Sequence, residues 1–337
     1  MSAKIGVIGA GAWGTALAQA FAGSNGEGDG SDVLLWAREA DLVEEINRDR
    51  RNSLYLPSAT LAPTIRATSD LAEFAALPAL LVVVPAQFLA SVIAGLPAGD
   101  RDLVLCAKGI EAGTGRLMAD VAASACAPQR LAVLSGPTFA HEVAAGLPTA
   151  VTLACGGGRA QWERLAPLLA RPALRPYYSD DVVGAEIGGA VKNVLAIACG
   201  VVEGLNLGQN ARAALIARGY AEMLRFGLAR GARAETLSGL CGLGDLVLTC
   251  SSTSSRNFSL GLALGKGLTA AEALSGKNSV AEGAATAPVL ADLARRDGLQ
   301  MPIVEAVDRL LKGEAPAGAV VNDLLSRPLR DEQEPLS

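Results

Sequence analysis

The chain has 337 residues, half of them apolar and 19% charged, with a formal net charge of -5. That length calls for two domains, and that composition describes a globular protein with an ample core, which excludes a disordered chain. The acidic balance leaves no broad basic field for nucleic acid or an anionic membrane, so any anionic ligand has to be held by a local cluster.

From the N-terminus, short apolar runs alternate with helical stretches. Strands are predicted at Lys4–Ile8, Val33–Trp36, Leu80–Val84, Leu103–Cys106, Leu131–Leu134 and Ala150–Ala154, with helices such as Ala12–Phe21 and Leu42–Arg48 between them. Such alternation predicts a parallel sheet covered by helices on both faces. Met1 is followed almost at once by the apolar run at Ile5, so no signal peptide is expected. The Gly-rich stretch Gly23–Ser31 reads as a surface loop without an assigned function. Pro78–Pro97 is apolar enough to suggest a membrane span, but Pro85, Gln87 and Ser91 interrupt it. It reads instead as a strand, a turn and a short helix.

After Ser179 the pattern changes to helices: Val182–Val202, Ala211–Ala229, Ala284–Arg296 and Pro302–Leu311. The expected organisation is therefore a Rossmann-like, doubly wound α/β domain over residues 1–179. An all-α substrate and catalytic domain follows over 180–326, then a charged tail over 327–337. The six cysteines, Cys106, Cys126, Cys155, Cys199, Cys241 and Cys250, include no C-x-x-C pair. Reduced thiols are expected, and no His, Cys and carboxylate cluster calls for a metal.

Gly9-Ala10-Gly11-Ala12-Trp13-Gly14 follows the first strand and opens the first helix, the context in which a G-x-G-x-x-G binds a dinucleotide. Gly9 permits the turn, Gly11 admits the pyrophosphate, and Gly14 lets helix and strand pack closely. The second strand ends in Trp36-Ala37-Arg38, without the acid that usually bonds the ribose of NAD. Arg38 favours NADP, while Glu39 beside it keeps NAD open.

Only six of the 29 basic residues are lysines, and one of them, Lys192, sits with Asn193 inside the apolar helical stretch Ile187–Val202. A buried ammonium costs several kcal/mol unless it is paired or neutralised, and desolvation turns it into a usable acid and base. On helical spacing Lys192 shares a face with Gly188, Gly189 and Ala196, small residues expected to leave room for a ligand. Asp245, between a Gly-rich turn and an apolar run, is either a helix N-cap or the partner of a buried cation. The run Ser251 to Asn257 ahead of a helix at Phe258–Leu264 combines hydroxyls, the Arg256 fork and free amides, the chemistry of a phosphate cradle. Lys108-Gly109 and Ser135-Gly136-Pro137-Thr138 follow predicted strands at their carboxyl ends, where open α/β sheets bind ligands. His141, on the next short helix, reads as a solvated residue.

An ordered set of stretches resembles the bacterial glycerol-3-phosphate dehydrogenases. They are Gly9 to Ala18, Asn52 to Pro57, Lys108 to Glu111, Ser135 to Ala140, Val191 to Val194, Gly242 to Thr249, Ser255 to Phe258 and Val280 to Gly283. The resemblance implies reversible, NAD(P)H-dependent reduction of dihydroxyacetone phosphate to sn-glycerol 3-phosphate. It further implies a homodimer that supplies glycerophospholipid synthesis. The chain is expected in the cytoplasm, and Arg38 with no acid at the strand end makes NADPH the expected preferred cofactor, with NADH accepted. The resemblance gives Lys192 the proton transfer and sets Lys108, Asn193, Asp245 and Thr249 around the reacting carbons. Ser255, Arg256 and Asn257 hold the phosphate, and Gly136 and Thr138 line the substrate side. Ala12, Trp13, Arg38, Lys108, Ala140, Arg256, Val280 and Glu282 touch the cofactor.

Two other readings use parts of the same pattern. A reductase of the β-hydroxyacid dehydrogenase type shares the two-domain order and a Lys-Asn pair but acts on a carboxylate. A nucleotide-sensing binding protein needs no proton donor, and Lys192 argues against it.

Overall fold

The structure, a computed structural model, describes residues 5–22, 32–124, 127, 130–276 and 280–328. The expected loop at 23–31, Cys126 and most of the expected tail lie outside the described residues. The chain divides into two compact units: residues 1–107 with 118–182, and residues 108–117 with 183–337.

The first unit is built on an eight-stranded sheet, β1 (Ile5–Ile8), β2 (Val33–Trp36), β3 (Ile65–Thr68), β4 (Ala79–Val82), β5 (Asp102–Leu105), β6 (Leu131–Ser135), β7 (Thr149–Cys155) and β8 (Leu174–Ser179). Their spatial order is β3-β2-β1-β4-β5-β6-β7-β8. The chain leaves β1 for β2 on one side and returns to β4 on the other. The order reverses there, and open α/β sheets receive ligands outside the carboxyl ends of such strands. β1, β4 and β5 are buried at every residue, because helices cover both faces. The covering helices are α1 (Ala12–Ala22), α2 (Ala40–Asp49), α3 (Leu89–Ala94), α4 (Met118–Ala122), α5 (Ala140–Ala144) and α6 (Gly158–Leu169).

The sheet is parallel, as expected from sequence, except at one pair: β7 runs antiparallel to β6, with Leu134 opposite Leu153. An apolar run such as Ala150–Ala154 is buried in either direction and carries no mark of polarity. The stretch 78–97 forms β4, a single 3-10 turn at Ala86–Phe88 and the short α3.

The second unit is helical. After the segment 108–117 it contains α7 (Val182–Gly204), α8 (Gly208–Ala229), α9 (Ala234–Leu237), α10 (Asp245–Cys250), α11 (Arg256–Gly265), α12 (Ala270–Leu274), α13 (Glu282–Arg296), α14 (Pro302–Leu311) and α15 (Ala317–Leu325). α7 is long and apolar enough to cross a membrane, but 83% of its most apolar window is buried inside the structure. It is the axis of the core formed with Met223, Phe226, Leu246, Phe258 and Leu290.

Two spacings of four hold α7 against α11. Gly200 and Gly204 on α7 face Gly261 and Gly265 on α11 at backbone contact. A Cβ on Gly204 would stand 2.6 Å from the Leu262 carbonyl oxygen, and one on Gly261 would overlap the Ile197 carbonyl. Only glycine at these positions lets the two backbones approach so closely.

Candidate active site

The glycine loop sits at the carboxyl end of β1 in the first unit. Gly9 has φ +116°, a conformation L side chains avoid, and a Cβ there would also lie 2.8 Å from the Val83 carbonyl oxygen. A Cβ on Gly14 would overlap the Gly9 carbonyl, so Gly14 lets α1 start directly over the strand. Gly11 differs: a Cβ there would meet nothing within 4 Å among the described residues. The loop thus has two glycines required by packing and one that faces open space, which fits a pyrophosphate approaching the start of α1.

Ala12 and Trp13 begin α1, and Trp13 packs on Leu56 and Val143. Its indole Nε1 is buried without a hydrogen-bond partner among the described residues. Arg38 is largely exposed and its Nη2 lies 2.8 Å from Glu39 Oε1, so the two residues expected from sequence to bear on cofactor choice are paired with each other. Gly136 is a packing glycine, since a Cβ would stand 2.9 Å from Val151 Cα. Thr138 donates to the Gly136 carbonyl at 3.3 Å, and Ala140 opens α5. His141 is exposed and stacks on Phe139.

The chemistry-bearing cluster lies in the second unit. Lys192, midway along α7, is 6% exposed, and Asp245, at the start of α10, is fully buried. Lys192 Nζ donates to Asp245 Oδ1 at 2.7 Å and to Thr249 Oγ1 at 2.8 Å. Lys108 Nζ donates to the other oxygen, Asp245 Oδ2, at 2.7 Å. Thr249, one turn after Asp245, donates back to Oδ1 at 3.2 Å. Of the two roles open to Asp245 from sequence, the structure takes the cation partner: the position before it, Gly244, caps α10 without a side-chain bond.

Burial pushes the Lys192 amine down from the usual 10.5 to about 8. The Asp245 carboxylate opposes that shift and the Lys108 charge adds to it. The thiol of Cys250 next to it is held neutral, its pKa raised by a hydrogen bond with Cys199 and by burial. An ammonium has three N–H groups. Two of those on Lys192 are engaged among the described residues, which leaves one for a further acceptor.

The small residues beside Lys192 require a correction. Gly188 does not open space for a ligand: a Cβ there would collide with the Cys241 carbonyl and lie 3.0 Å from Gly242 Cα. It lets the π-helical turn Leu240–Gly244 press onto α7, which is what brings Asp245 to the amine.

A chain of amides joins four segments around this centre. Asn193 Nδ2 donates to the Lys108 carbonyl at 3.0 Å, and Asn193 Oδ1 accepts from Asn257 Nδ2 at 2.9 Å. Asn257 Oδ1 accepts from the Gly283 backbone N–H at 2.9 Å. Asn193 and Asn257 therefore each spend half of their bonding capacity on placing Lys108 and the start of α13. Ser255 is the N-cap of α11, its hydroxyl accepting from Phe258 N at 3.2 Å. Arg256 follows on the first turn. Water reaches the residue, yet crowding around the guanidinium lowers its pKa, and the Glu282 carboxylate opposes that shift. Val280 is 42% exposed just before α13. Among the described residues no group of three or more His, Cys, Asp or Glu side chains is placed to hold a metal ion.

Sequence reasoning gave no role to Asn52, a fully buried polar residue beside the glycine loop. Its side chain bonds the Ala10 carbonyl and the Thr15 hydroxyl, at 2.9 and 2.8 Å. It also missed that Lys108 travels with the helical unit. The segment 108–117 packs there through Ile110 and through Gly115, which abuts Leu293.

Comparison with known proteins covers nearly the whole chain. Residues 4–160 match the family description NAD-dependent glycerol-3-phosphate dehydrogenase N-terminus, and residues 181–322 match its C-terminus. A protein of Erythrobacter litoralis named glycerol-3-phosphate dehydrogenase (NAD(P)+) is 69% identical over 334 residues, covering 99% of each chain. One of Novosphingobium aromaticivorans with the same name is 69% identical over 332 residues, 98% of this chain and 99% of its own. The solved structure of glycerol-3-phosphate dehydrogenase from Coxiella burnetii superposes with a TM-score of 0.88 at 39% identity, covering 96% of this chain and 98% of that one.

Proposed function

The chain belongs to the NAD-dependent glycerol-3-phosphate dehydrogenase family, and on that premise we propose how its own residues carry the reaction. It is an oxidoreductase that reduces dihydroxyacetone phosphate to glycerol 3-phosphate with NAD(P)H, reversibly. The nicotinamide nucleotide, when bound, supplies the hydride that reaches the carbonyl carbon.

Lys192 donates the proton that the carbonyl oxygen takes up in reduction, and accepts it in oxidation. Its pKa of about 8 leaves it mostly charged at neutral pH and able to release a proton. Asp245 keeps that amine charged against burial and against Lys108, and fixes both amines at 2.7 Å from one carboxylate. A cation held beside the developing alkoxide stabilises its charge without reorganisation at the moment of reaction. Arg256, at the start of α11, holds the substrate phosphate together with Asn257, whose remaining N–H is the part not spent on Asn193. Gly9, Gly11 and Gly14 receive the pyrophosphate, with Ala12, Trp13 and Ala140 against the nucleotide and Val280 and Glu282 completing the cofactor side. Arg38 binds a 2′-phosphate and makes NADPH the preferred cofactor, with Glu39 competing for the same guanidinium. We assign the protein to the cytoplasm as a homodimer that feeds glycerophospholipid synthesis, in keeping with its family.

The observation that carries this reading is the buried Lys192 amine bonded to a carboxylate that also binds Lys108. The test is NADPH oxidation with dihydroxyacetone phosphate beside a ketone bearing a carboxylate in place of the phosphate. Turnover with the phosphate ester alone is expected. Preference for the carboxylate would overturn the assignment of Arg256 and Asn257.

A further inference from the structure

Asn52 lies in the segment after α2, far in sequence from the glycine loop, yet its side chain is fully buried against it. Its Oδ1 accepts from Tyr55 N at 3.0 Å. That bond fixes which end of the amide faces which way, so Nδ2 must be the end that donates to the Ala10 carbonyl and the Thr15 hydroxyl. Thr15, also fully buried, donates in turn to the same Ala10 carbonyl at 3.2 Å. The Ala10 carbonyl therefore has two donors pulling it into the protein.

A trans peptide is planar, with its C=O and the following N–H pointing in opposite directions. Holding the Ala10 oxygen inward aims the Gly11 N–H outward. Gly11 is also the one glycine of the loop that faces open space. We propose that Asn52 is a positioning residue for cofactor binding: with Thr15 it sets the orientation of the Ala10–Gly11 peptide and so presents the Gly11 N–H to the pyrophosphate. This rests on the assignment of Gly9–Gly14 as the pyrophosphate loop. No contact of Asn52 with the cofactor is required.

Asn52→Asp is the sharpest perturbation. The carboxylate keeps the shape and the bond from Tyr55 N, but replaces the donor facing the Ala10 oxygen by an acceptor. The peptide loses its anchor and meets repulsion instead. NADPH affinity, read by fluorescence titration, should fall by about tenfold, the scale of one charge-assisted hydrogen bond to phosphate. The KM for NADPH should rise in parallel, while kcat at saturating cofactor and the KM for dihydroxyacetone phosphate stay near wild type. Adenosine 2′-monophosphate, which has no pyrophosphate, should bind both proteins alike. Thr15→Val, which leaves Asn52 in place but removes one donor, should give a smaller loss of the same kind, and Thr15→Ser should restore it. It serves if Asn52→Asp does not fold. Gly11→Ala, whose methyl would enter the open space, tests the premise separately. If Gly11→Ala weakens NADPH and the folded Asn52 and Thr15 variants do not, Asn52 has no positioning role. If none of them weakens NADPH, the loop assignment itself fails. Equal losses for NADPH and adenosine 2′-monophosphate would make Asn52 a general scaffold residue and overturn the proposal.

Discussion

Replacing Lys192 by Met should make the enzyme inactive and more stable. Burial lowers the amine from 10.5 to about 8. At about 1.4 kcal/mol per pH unit, keeping the charge in the folded state costs about 3 kcal/mol at neutral pH. Met has a similar length and no charge to desolvate. The substitution does not orphan Asp245, which keeps Lys108 at 2.7 Å and Thr249 at 3.2 Å. The usual penalty for breaking a buried ion pair is thereby reduced, and a gain of about 1–3 kcal/mol is expected. The pH dependence gives the sign. The folded pKa is depressed, so the wild-type amine is neutral in both states above about 10.5 and carries no penalty there. The penalty grows as pH falls through that value and is complete below about 8. Urea denaturation of both proteins at pH 7 and pH 10 measures it. The gain of the variant should be present at pH 7 and mostly gone at pH 10. A variant less stable than wild type at pH 7, or a gain independent of pH, would refute a Lys192 dominated by desolvation.

Other substitutions separate the remaining roles. Arg256→Ala should weaken dihydroxyacetone phosphate by about 1.5–3 kcal/mol, the scale of a lost charged hydrogen bond, with far less effect on unphosphorylated dihydroxyacetone. Equal losses on the two, read from kcat/KM, would point to a cofactor or folding role. Arg38→Asp should reverse the preference for NADPH, because it removes an attraction and adds a like charge; an unchanged kcat/KM ratio for the two cofactors would clear Arg38 of reading the 2′ position. Gly261→Ala drives a methyl into the Ile197 carbonyl on α7 and should cost about 1–3 kcal/mol in thermal denaturation, or more. Because α11 begins with Arg256 and Asn257, the same variant should raise the KM for dihydroxyacetone phosphate; a near wild-type melting temperature would show that the crossing has slack.

The strands buried on both faces were plain in the sequence, since continuous apolar runs such as Leu131–Leu134 admit few other structures. β3 and β8 were not. Ile65–Thr68 is four residues long and exposes Arg66. Leu174–Ser179 is an edge strand with alternating burial and contains Pro176, which usually argues against a strand; at an edge the missing N–H breaks no ladder. The direction of β7 left no trace either, because burial is the same both ways.

In the site, Lys192 could be found because a charged residue inside an apolar helix is costly, and that cost is visible in one dimension. Of its partners, Asp245 was legible only as one of two readings, and the packing that brings it to the amine was not legible at all. Gly188 looks like room for a ligand until the turn at Leu240–Gly244 is seen packed on it. Asn193 and Asn257 also bond Lys108, each other and Gly283, distant partners that no local pattern marks. Asn52 stood inside a stretch shared with the family, yet a single loop Asn gives no hint that its partners lie 42 and 37 residues earlier. Contacts of that range are set by the crossover of the sheet, which local pattern does not encode.

If Lys192 moves the proton in reduction of dihydroxyacetone phosphate, removing its amine must remove both turnover and the pH dependence that amine imposes. The most direct measurement is kcat for NADPH-dependent reduction at saturating substrates, for wild type and Lys192→Ala across pH 6 to 10, with NADPH binding checked in both. Wild-type turnover should fall as pH rises through about 8, where the amine loses the proton it must donate. The variant should lose about two to four orders of magnitude, the range for a removed general acid, together with that pH dependence, while still binding NADPH. A variant within about tenfold of wild type, or one that keeps the same fall near pH 8, would contradict the account and place the proton on another group.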